Sequence, residues 1–268
     1  NEKTYLYRKR RGRLGADRCV PCDNNNAPNG LFRVVVIMAR ILLTVEYFGK
    51  NYAGWQRQKN ALGVQEVLEN KLSLVLQQTI TLIGSGRTDS GVHALAQKAH
   101  FDYEGNFPLK KLAYAVNTTL PWDIRIRSAE TVPDDFHAQY SARSKTYVYK
   151  MYLSRTSRPL KDLHYARIPY EKIDFAARKQ ACADLIGTHD FKGFSSTGSG
   201  IKTTIRTVFS AELYENGEDI TLEICGNGFL YNMVRIIAGT LVQVGGGAIK
   251  PEAVKEILAK KDRSAAGP

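Results

Sequence analysis

A glycine-rich loop at residues 84–91 contains the side chains best suited to chemistry. Asp89 stands two residues after Arg87, with Thr88 and Ser90 on either side. A nearby arginine favours the ionised form of an aspartate and holds it ready as a nucleophile or base. Glycines allow close approach of the backbone to a ligand. A polar turn held by an Asx hydrogen bond has the same composition, so the loop alone leaves both interpretations open.

Several nucleotide, hydrolase and metal motifs are excluded. A dinucleotide-binding fingerprint needs glycine where Asp89 stands, and the Gly-Lys-Ser/Thr of a P-loop is absent. The chain has no Gly-x-Ser-x-Gly elbow, and its five histidines show no metal-binding pairing. Cys19 and Cys22 form a single CxxC without the second ligand pair of a structural zinc site. No motif in the sequence therefore indicates a metal site.

Two further segments contain candidate site residues. Residues 143–150 interleave basic and aromatic side chains, so Tyr147 could stack on a base while lysines meet phosphates. A half-buried strand with a solvated basic edge has the same pattern. Arg235 is the one charge at the start of a long apolar helix, which suggests a carboxylate partner such as Asp89. The alternative is that Arg235 extends to the surface.

The elements that must position these residues alternate between strand and helix patterns without a strict βαβ order, which favours an α+β fold. Residues 1–37 form a basic leader, expected to be disordered or foreign to the native protein, because the chain begins with Asn1 and Met38 precedes the first patterned strand. We expect two similar halves, 38–155 and 156–268. The patterns predict strands at 41–47, 81–83, 97–103, 124–132, 144–153, 204–214 and 220–225, and helices at 64–75, 108–118, 171–186, 229–244 and 251–260.

Charge points to a polyanionic partner. The formal net charge is +12, and half of this surplus lies in residues 1–40. Nucleic acid and an acidic membrane surface are both candidates, the membrane through the leader alone. No stretch reaches the roughly 18 apolar residues of a membrane span. Four cysteines in a chain of this length do not form a disulfide framework, so we expect a reduced, cytoplasmic protein.

Taken together, the segments resemble one family, the bacterial tRNA pseudouridine synthases of the TruA type. The resemblance runs in order from residue 41 to the end of the chain. It rests on YFGKNYAGWQRQ at 47–58, VQE at 64–66, GSGRTDSGVHA at 84–94, FHA at 136–138, KTYVY at 145–149, GTHDF at 187–191 and GNGFLYNMVR at 226–235.

This resemblance implies a fold, an activity and roles for particular residues. The fold would consist of two α+β halves that share a mixed, mostly antiparallel central sheet with a basic cleft. Asp89 would be the catalytic nucleophile, Tyr147 would stack on the target base, Arg87 would hold the flipped nucleotide, and Arg235 would lie near the aspartate. The family is homodimeric, uses no metal or cofactor, and isomerises uridines at positions 38–40 of the tRNA anticodon stem-loop. Attack at C1′ of ribose and at C6 of uracil both remain open.

Two departures from the family pattern carry expectations of their own. Gln139 follows the FHA motif where the family usually has arginine, so one phosphate contact is expected to be missing. The chain ends at 265–268, where the family usually continues through a last strand, which would leave a sheet edge exposed. A catalytically silent tRNA-binding protein on the same scaffold is the alternative function, and the intact Arg87-Thr88-Asp89 argues against it.

Overall fold

Alternating apolar residues place one long strand at the centre of the first sheet. The computed structural model describes residues 2–8, 31–170, 172–196 and 202–268, which form two compact units, 1–141 and 142–268. In the first unit, β2 (Leu31–Tyr47) pairs antiparallel with β4 (Ala94–Gly105) on one side. On its other side it pairs with β1 (Glu2–Arg8) and then with β5 (Ile124–Val132). The two-residue strand β3 (Ile83–Gly84) extends the sheet beyond β4.

Two helices pack against this sheet because each has an apolar face. They are α1 (Val64–Leu76) and α2 (Leu109–Asn117). Alternate residues of β2 from Ile41 to Tyr47 contribute to one core with the buried leucines and valines of both helices. This core supports the loop between β3 and β4, which contains Asp89.

The second unit has a five-stranded sheet of its own, in the order β7-β6-β10-β9-β8. Its strands are β6 (Lys145–Leu153), β7 (Ala166–Ile168), β8 (Gly187–Asp190), β9 (Ile205–Asn216) and β10 (Asp219–Gly226). The pair β6–β7 is parallel and the others are antiparallel. The helices are α3 (Phe175–Ala183), α4 (Met233–Gly245) and α5 (Ala253–Lys260). Helix α4 is buried along most of its length, as its apolar sequence predicts.

The α+β class and the mostly antiparallel pairing are confirmed. The strands pair as two sheets, one in each unit, where we expected one shared central sheet. The units divide after Ser141, before the expected boundary at 155, because β6 pairs with β7 and β10 of the second unit. The basic cleft stays a prediction. No helix in the described ranges is both long and apolar enough to cross a membrane.

Several boundaries differ from the sequence patterns for local reasons. Helix α3 begins at Phe175, because the Asp174 side chain accepts a hydrogen bond from the backbone N–H of Ala177 and caps the helix there. Helix α4 begins only at Met233, because Asn232 has a left-handed φ of 59°. The strands β7 and β8 were missed because three or four residues are too few to show an alternating pattern.

The first residues of the chain are a strand in the structure, although their composition predicted a disordered arm. Strand β1 pairs with residues 31–37 of β2, and residues 9–30, with the CxxC at Cys19 and Cys22, lie outside the described part of the chain. Within that described part, no group of three or more His, Cys, Asp or Glu side chains is placed to bind a metal ion.

Candidate active site

The first residues of the loop at 84–91 are tied to the strand that follows it. The backbone N–H of Ser85 donates to the carbonyl of Lys98 at 2.7 Å, and the Gln97 side-chain amide donates to the carbonyl of Gly86 at 2.6 Å. Past the aspartate, the N–H of Val92 donates to the carbonyl of Asp89 at 3.2 Å and closes a tight turn. Asp89 is half-buried in this turn.

Three hydrogen bonds between residues 47–55 and the loop hold the residues on each side of Asp89. The N–H of Trp55 donates to the carbonyl of Thr88 at 3.1 Å, and the hydroxyls of Tyr47 and Thr88 lie 2.8 Å apart. On the far side, the N–H of Gly91 donates to the carbonyl of Tyr52 at 3.2 Å. We call residues 47–55 the frame segment. It fixes the backbone position from which the side chain of Asp89 extends.

Gly54 lets the frame segment approach the loop this closely. Its φ is +89°, in the region that favours glycine. A Cβ at this position would lie 2.2 Å from the carbonyl oxygen of Thr88 and 3.1 Å from the carbonyl carbon of Asp89. Any side chain here would therefore displace the backbone that carries the aspartate.

A buried polar network ties the frame segment to α1. The N–H of Gln65 donates to the carbonyl of Trp55 at 2.9 Å. The side-chain amide of Gln65 donates to Glu69 and to the carbonyl of Leu82, each at 3.0 Å, while its oxygen accepts from the N–H of Arg57 at 3.1 Å. Every polar atom of the buried Gln65 side chain has a hydrogen-bond partner. Such a fully satisfied network holds its members in one arrangement.

The frame residues Tyr47, Gly54 and Trp55 were not among our candidate site residues. Tyr47 ends the predicted strand at 41–47, whereas Gly54 and Trp55 lie where the spacing shows no strand or helix pattern, and the contacts of all three reach more than thirty positions along the chain. The available signals were the motif at 47–58 that contributes to the family resemblance and, within it, a glycine next to a tryptophan outside any regular element. Neither could have named Thr88 and Asp89 as the residues contacted.

The four predicted site residues divide between the two units. Asp89 and Arg87 share the loop of the first unit, with Arg87 exposed. In the second unit, Tyr147 is half-buried on β6, and its ring lies edge-on to Phe229 with centroids 5.0 Å apart. Arg235 is exposed on the first turn of α4. An approach of Tyr147 or Arg235 to Asp89 stays a prediction.

Both the loop at 84–91 and the frame segment lie in a part of the chain that matches known proteins. A family model described as tRNA pseudouridine synthase matches residues 43–141 and 181–268. The chain belongs to this family. It is also similar to proteins named tRNA pseudouridine synthase A, with 47% identity to one from Caldicellulosiruptor bescii and 46% to one from Thermoanaerobacter sp. strain X514. A protein from Clostridium perfringens named tRNA pseudouridine synthase A 2 is 41% identical. Each alignment spans 230 residues, 86% of this chain and 94% of the relative.

Membership in the tRNA pseudouridine synthase family makes the chain an isomerase, with tRNA pseudouridylation as its activity. The first matched range contains Asp89, Arg87 and every frame contact described above, and the second contains Arg235. Tyr147 lies in the stretch between the two matched ranges. The expected family and reaction class are thus confirmed, and the roles of single residues remain to be proposed.

Proposed function

We propose that this synthase isomerises uridines at positions 38–40 in the anticodon stem-loop of tRNA, with Asp89 as its nucleophile. The observation that carries the proposal is the fixed backbone around Asp89. Hydrogen bonds between the frame segment and the loop hold Thr88 and Gly91, on either side of Asp89, whose own side chain is half-buried. Preorganisation of this kind is what nucleophilic attack at one atom of a bound substrate requires.

The proposed chemistry needs one carboxylate and no added group. Asp89 attacks C1′ of the ribose or C6 of the uracil. By either route the N1–C1′ bond breaks, the base turns, a C5–C1′ bond forms, and the covalent bond to Asp89 breaks again, which returns the free carboxylate. The hydrogen at C5 leaves to solvent and N1 takes up a proton, so product and substrate have the same atoms. A base must first leave the stack, which costs roughly a few kcal/mol.

The remaining roles follow from the family resemblance and the side-chain types. Tyr147 stacks on the flipped base, which recovers about 1–3 kcal/mol. Arg87, exposed beside the aspartate in sequence, binds a phosphate of the flipped nucleotide. Arg235 neutralises charge near Asp89. The proposal includes a homodimer in the cytoplasm, which sedimentation at assay concentration and fractionation would test.

Tritium release tests the proposed nucleophile directly. The substrate is unmodified tRNA with tritium at C5 of uracil, because forming the new C–C bond must expel that atom. We expect release by the parent chain and by Asp135→Ala, a control at an exposed aspartate of the same unit. We expect none by Asp89→Ala, with tRNA affinity retained.

Altered tRNA substrates test which uridines are modified. Replacing the uridines at 38–40 by cytidine is expected to abolish release, while replacing uridines elsewhere leaves it unchanged. Release that persists without uridines at 38–40 contradicts the proposed position. A parent chain that binds tRNA without releasing tritium is instead the silent binding protein.

A further inference from the structure

Trp122 is an exposed tryptophan on the unit that contains Asp89. It is 72% exposed, whereas Trp55, the other tryptophan of the chain, is 2% exposed. Tryptophan buries more apolar surface than almost any other residue when it packs, so an indole left in solvent contributes little to folding. A single exposed apolar residue is ordinary, and an exposed ring that continues a row of other rings is not.

The indole of Trp122 lies at the end of such a row. The ring of Phe48 is 5.9 Å from that of Trp122, with 31° between the planes. On its other side, Phe48 stacks on His93 at 4.5 Å and 13°. We call Trp122, Phe48 and His93 the aromatic row.

Backbone and buried polar contacts hold the aromatic row in place. The N–H of Phe48 donates to the carbonyl of Asp123 at 2.9 Å, and the N–H of Gly49 donates to Nδ1 of His93 at 3.0 Å. The carboxylate of Asp123 is buried and accepts from the hydroxyl of Tyr52 at 2.7 Å. Trp122 is therefore attached directly to a rigid residue, and its exposure is not a sign of a loose turn.

The aromatic row adjoins the loop of Asp89. His93 follows Asp89 by four residues, and the same Tyr52 that binds Asp123 accepts the hydrogen bond from Gly91. The Cβ of any residue replacing Gly49 would lie 1.9 Å from the carbonyl oxygen of Val92. The two features are thus parts of one scaffold within the first unit.

We propose that Trp122, backed by Phe48 and His93, stacks on an unpaired nucleobase of the tRNA beside the target uridine. This rests on the proposed function and adds a binding residue to it. An indole face suits any nucleobase, since stacking does not depend on base identity. The exposed Lys50 follows Gly49 in the chain and suits a phosphate, while the one carboxylate adjoining the indole in sequence, Asp123, is buried and engaged.

Steady-state kinetics on tritiated tRNA tests the contact in the full chain. Trp122→Ala is expected to raise KM for tRNA between about 5- and 150-fold, the value of one base–aromatic stack. Its kcat should stay within about twofold of the parent, and Trp122→Phe, which keeps a ring, should retain most of the affinity. The matched control is Tyr114→Ala on α2, an aromatic that is 77% exposed in the same unit. An unchanged KM for Trp122→Ala, with the parent active, overturns this proposal and leaves the proposed function standing.

Fluorescence quenching tests the same contact without relying on catalysis. Subtracting the signal of Trp122→Phe from that of the parent isolates Trp122, because Trp55 is the only other tryptophan. Acrylamide should quench Trp122 in the free protein, and saturating tRNA should protect it. Equal quenching with and without bound tRNA contradicts the proposal even if tritium release fails. A parent dimer that Trp122→Ala dissociates would make the aromatic row an interface between copies instead.

Discussion

At the scale of single residues, the position of Asp89 depends on atoms more than thirty residues earlier in the chain. Its neighbours Thr88 and Gly91 are held by Tyr47, Tyr52 and Trp55. A catalytic group displaced by about 1 Å can lose on the order of a hundredfold in rate. The frame segment should therefore affect turnover through residues that never touch the substrate.

Gly54→Ala is expected to lower kcat by about a hundredfold. A Cβ would lie 2.2 Å from the carbonyl oxygen of Thr88, so the loop must move. The control is Gly217→Ala, at a hairpin turn with φ +61° and no atom within 4 Å of an added Cβ. Both variants bear the backbone strain of a positive φ, about 1–2 kcal/mol, and only the first moves Asp89. Equal kcat values in the two variants would contradict the role of the frame segment.

A double-mutant cycle tests the hydrogen bond between Tyr47 and Thr88. The two hydroxyl oxygens are 2.8 Å apart. Tyr47→Phe and Thr88→Val should each reduce kcat, and the double variant should fall little below the worse single one, giving a coupling of about 0.5–1.5 kcal/mol. Measured tritium release for all four proteins provides the cycle. Strictly additive effects would show that the hydrogen bond does not position the loop.

At the scale of elements, helix α3 contains a buried charge. Arg178 is fully buried, and none of its three guanidinium nitrogens donates to an acceptor in the described part of the chain. Its methylene stem lies against Gly245 at the end of α4. Burial lowers the pKa of Arg178 to about 10, and the charge of Glu215 opposes the shift. Burying this charge among apolar residues costs free energy of folding.

Arg178→Met should stabilise the second unit by about 1–4 kcal/mol. The thioether keeps the packing of the stem against Gly245 and removes the buried charge. Because the pKa in the folded state is below its ordinary value, the destabilisation by Arg178 is fully present below about pH 10 and diminishes only above it. The gain should therefore be constant from about pH 6 to pH 9 in urea titrations. Lys179→Met, at the exposed neighbouring position, is the control, and an equal gain there would contradict the argument.

At the scale of the whole molecule, the leader strand β1 pairs with one end of β2, and β4, the strand that follows the loop of Asp89, pairs with the other end, as does β5. Residues 31–37 of β2 pair with β1, whereas pairing with β4 runs from Ile37 onward, so that the two overlap only at Ile37, and pairing with β5 begins at Arg40. Removing residues 1–37 would take away β1 together with its partner segment and leave the remaining sheet of the first unit intact. The interaction of β1 with the chain is thus separable from the frame that holds Asp89.

A chain beginning at Met38 is expected to retain kcat for tritium release. Its affinity for tRNA is best measured as a function of salt, because each lost phosphate contact lowers the slope of log K against log salt by about 0.7–0.9. We expect the slope to be unchanged, since the family model matches residues 43–141 and 181–268 and none of the leader. A much weaker kcat would show that β1 supports the site, and a lower slope would make the leader part of the tRNA surface.

The sequence by itself determined the class of fold, most of its elements and the candidate loop. Helices α1 and α2 and strand β5 lie where the apolar periods placed them, because periodicity is a local property that one strand or helix expresses along its own length. The order of motifs identified the family. It also named Asp89 and Arg87, since their chemistry is visible in side-chain type and spacing.

Only the tertiary structure decided what holds Asp89 and what lies beside it. The contacts of Gly54 with Thr88, of Gln65 with Leu82, and of Phe48 with Trp122 join residues far apart in the chain. No local pattern records such pairs, because they form when separate elements pack against one core. Packing within the second unit buried Arg178, and packing within the first unit left Trp122 exposed to solvent. Burial depends on the whole fold of a unit, whereas hydropathy is a property of each residue alone.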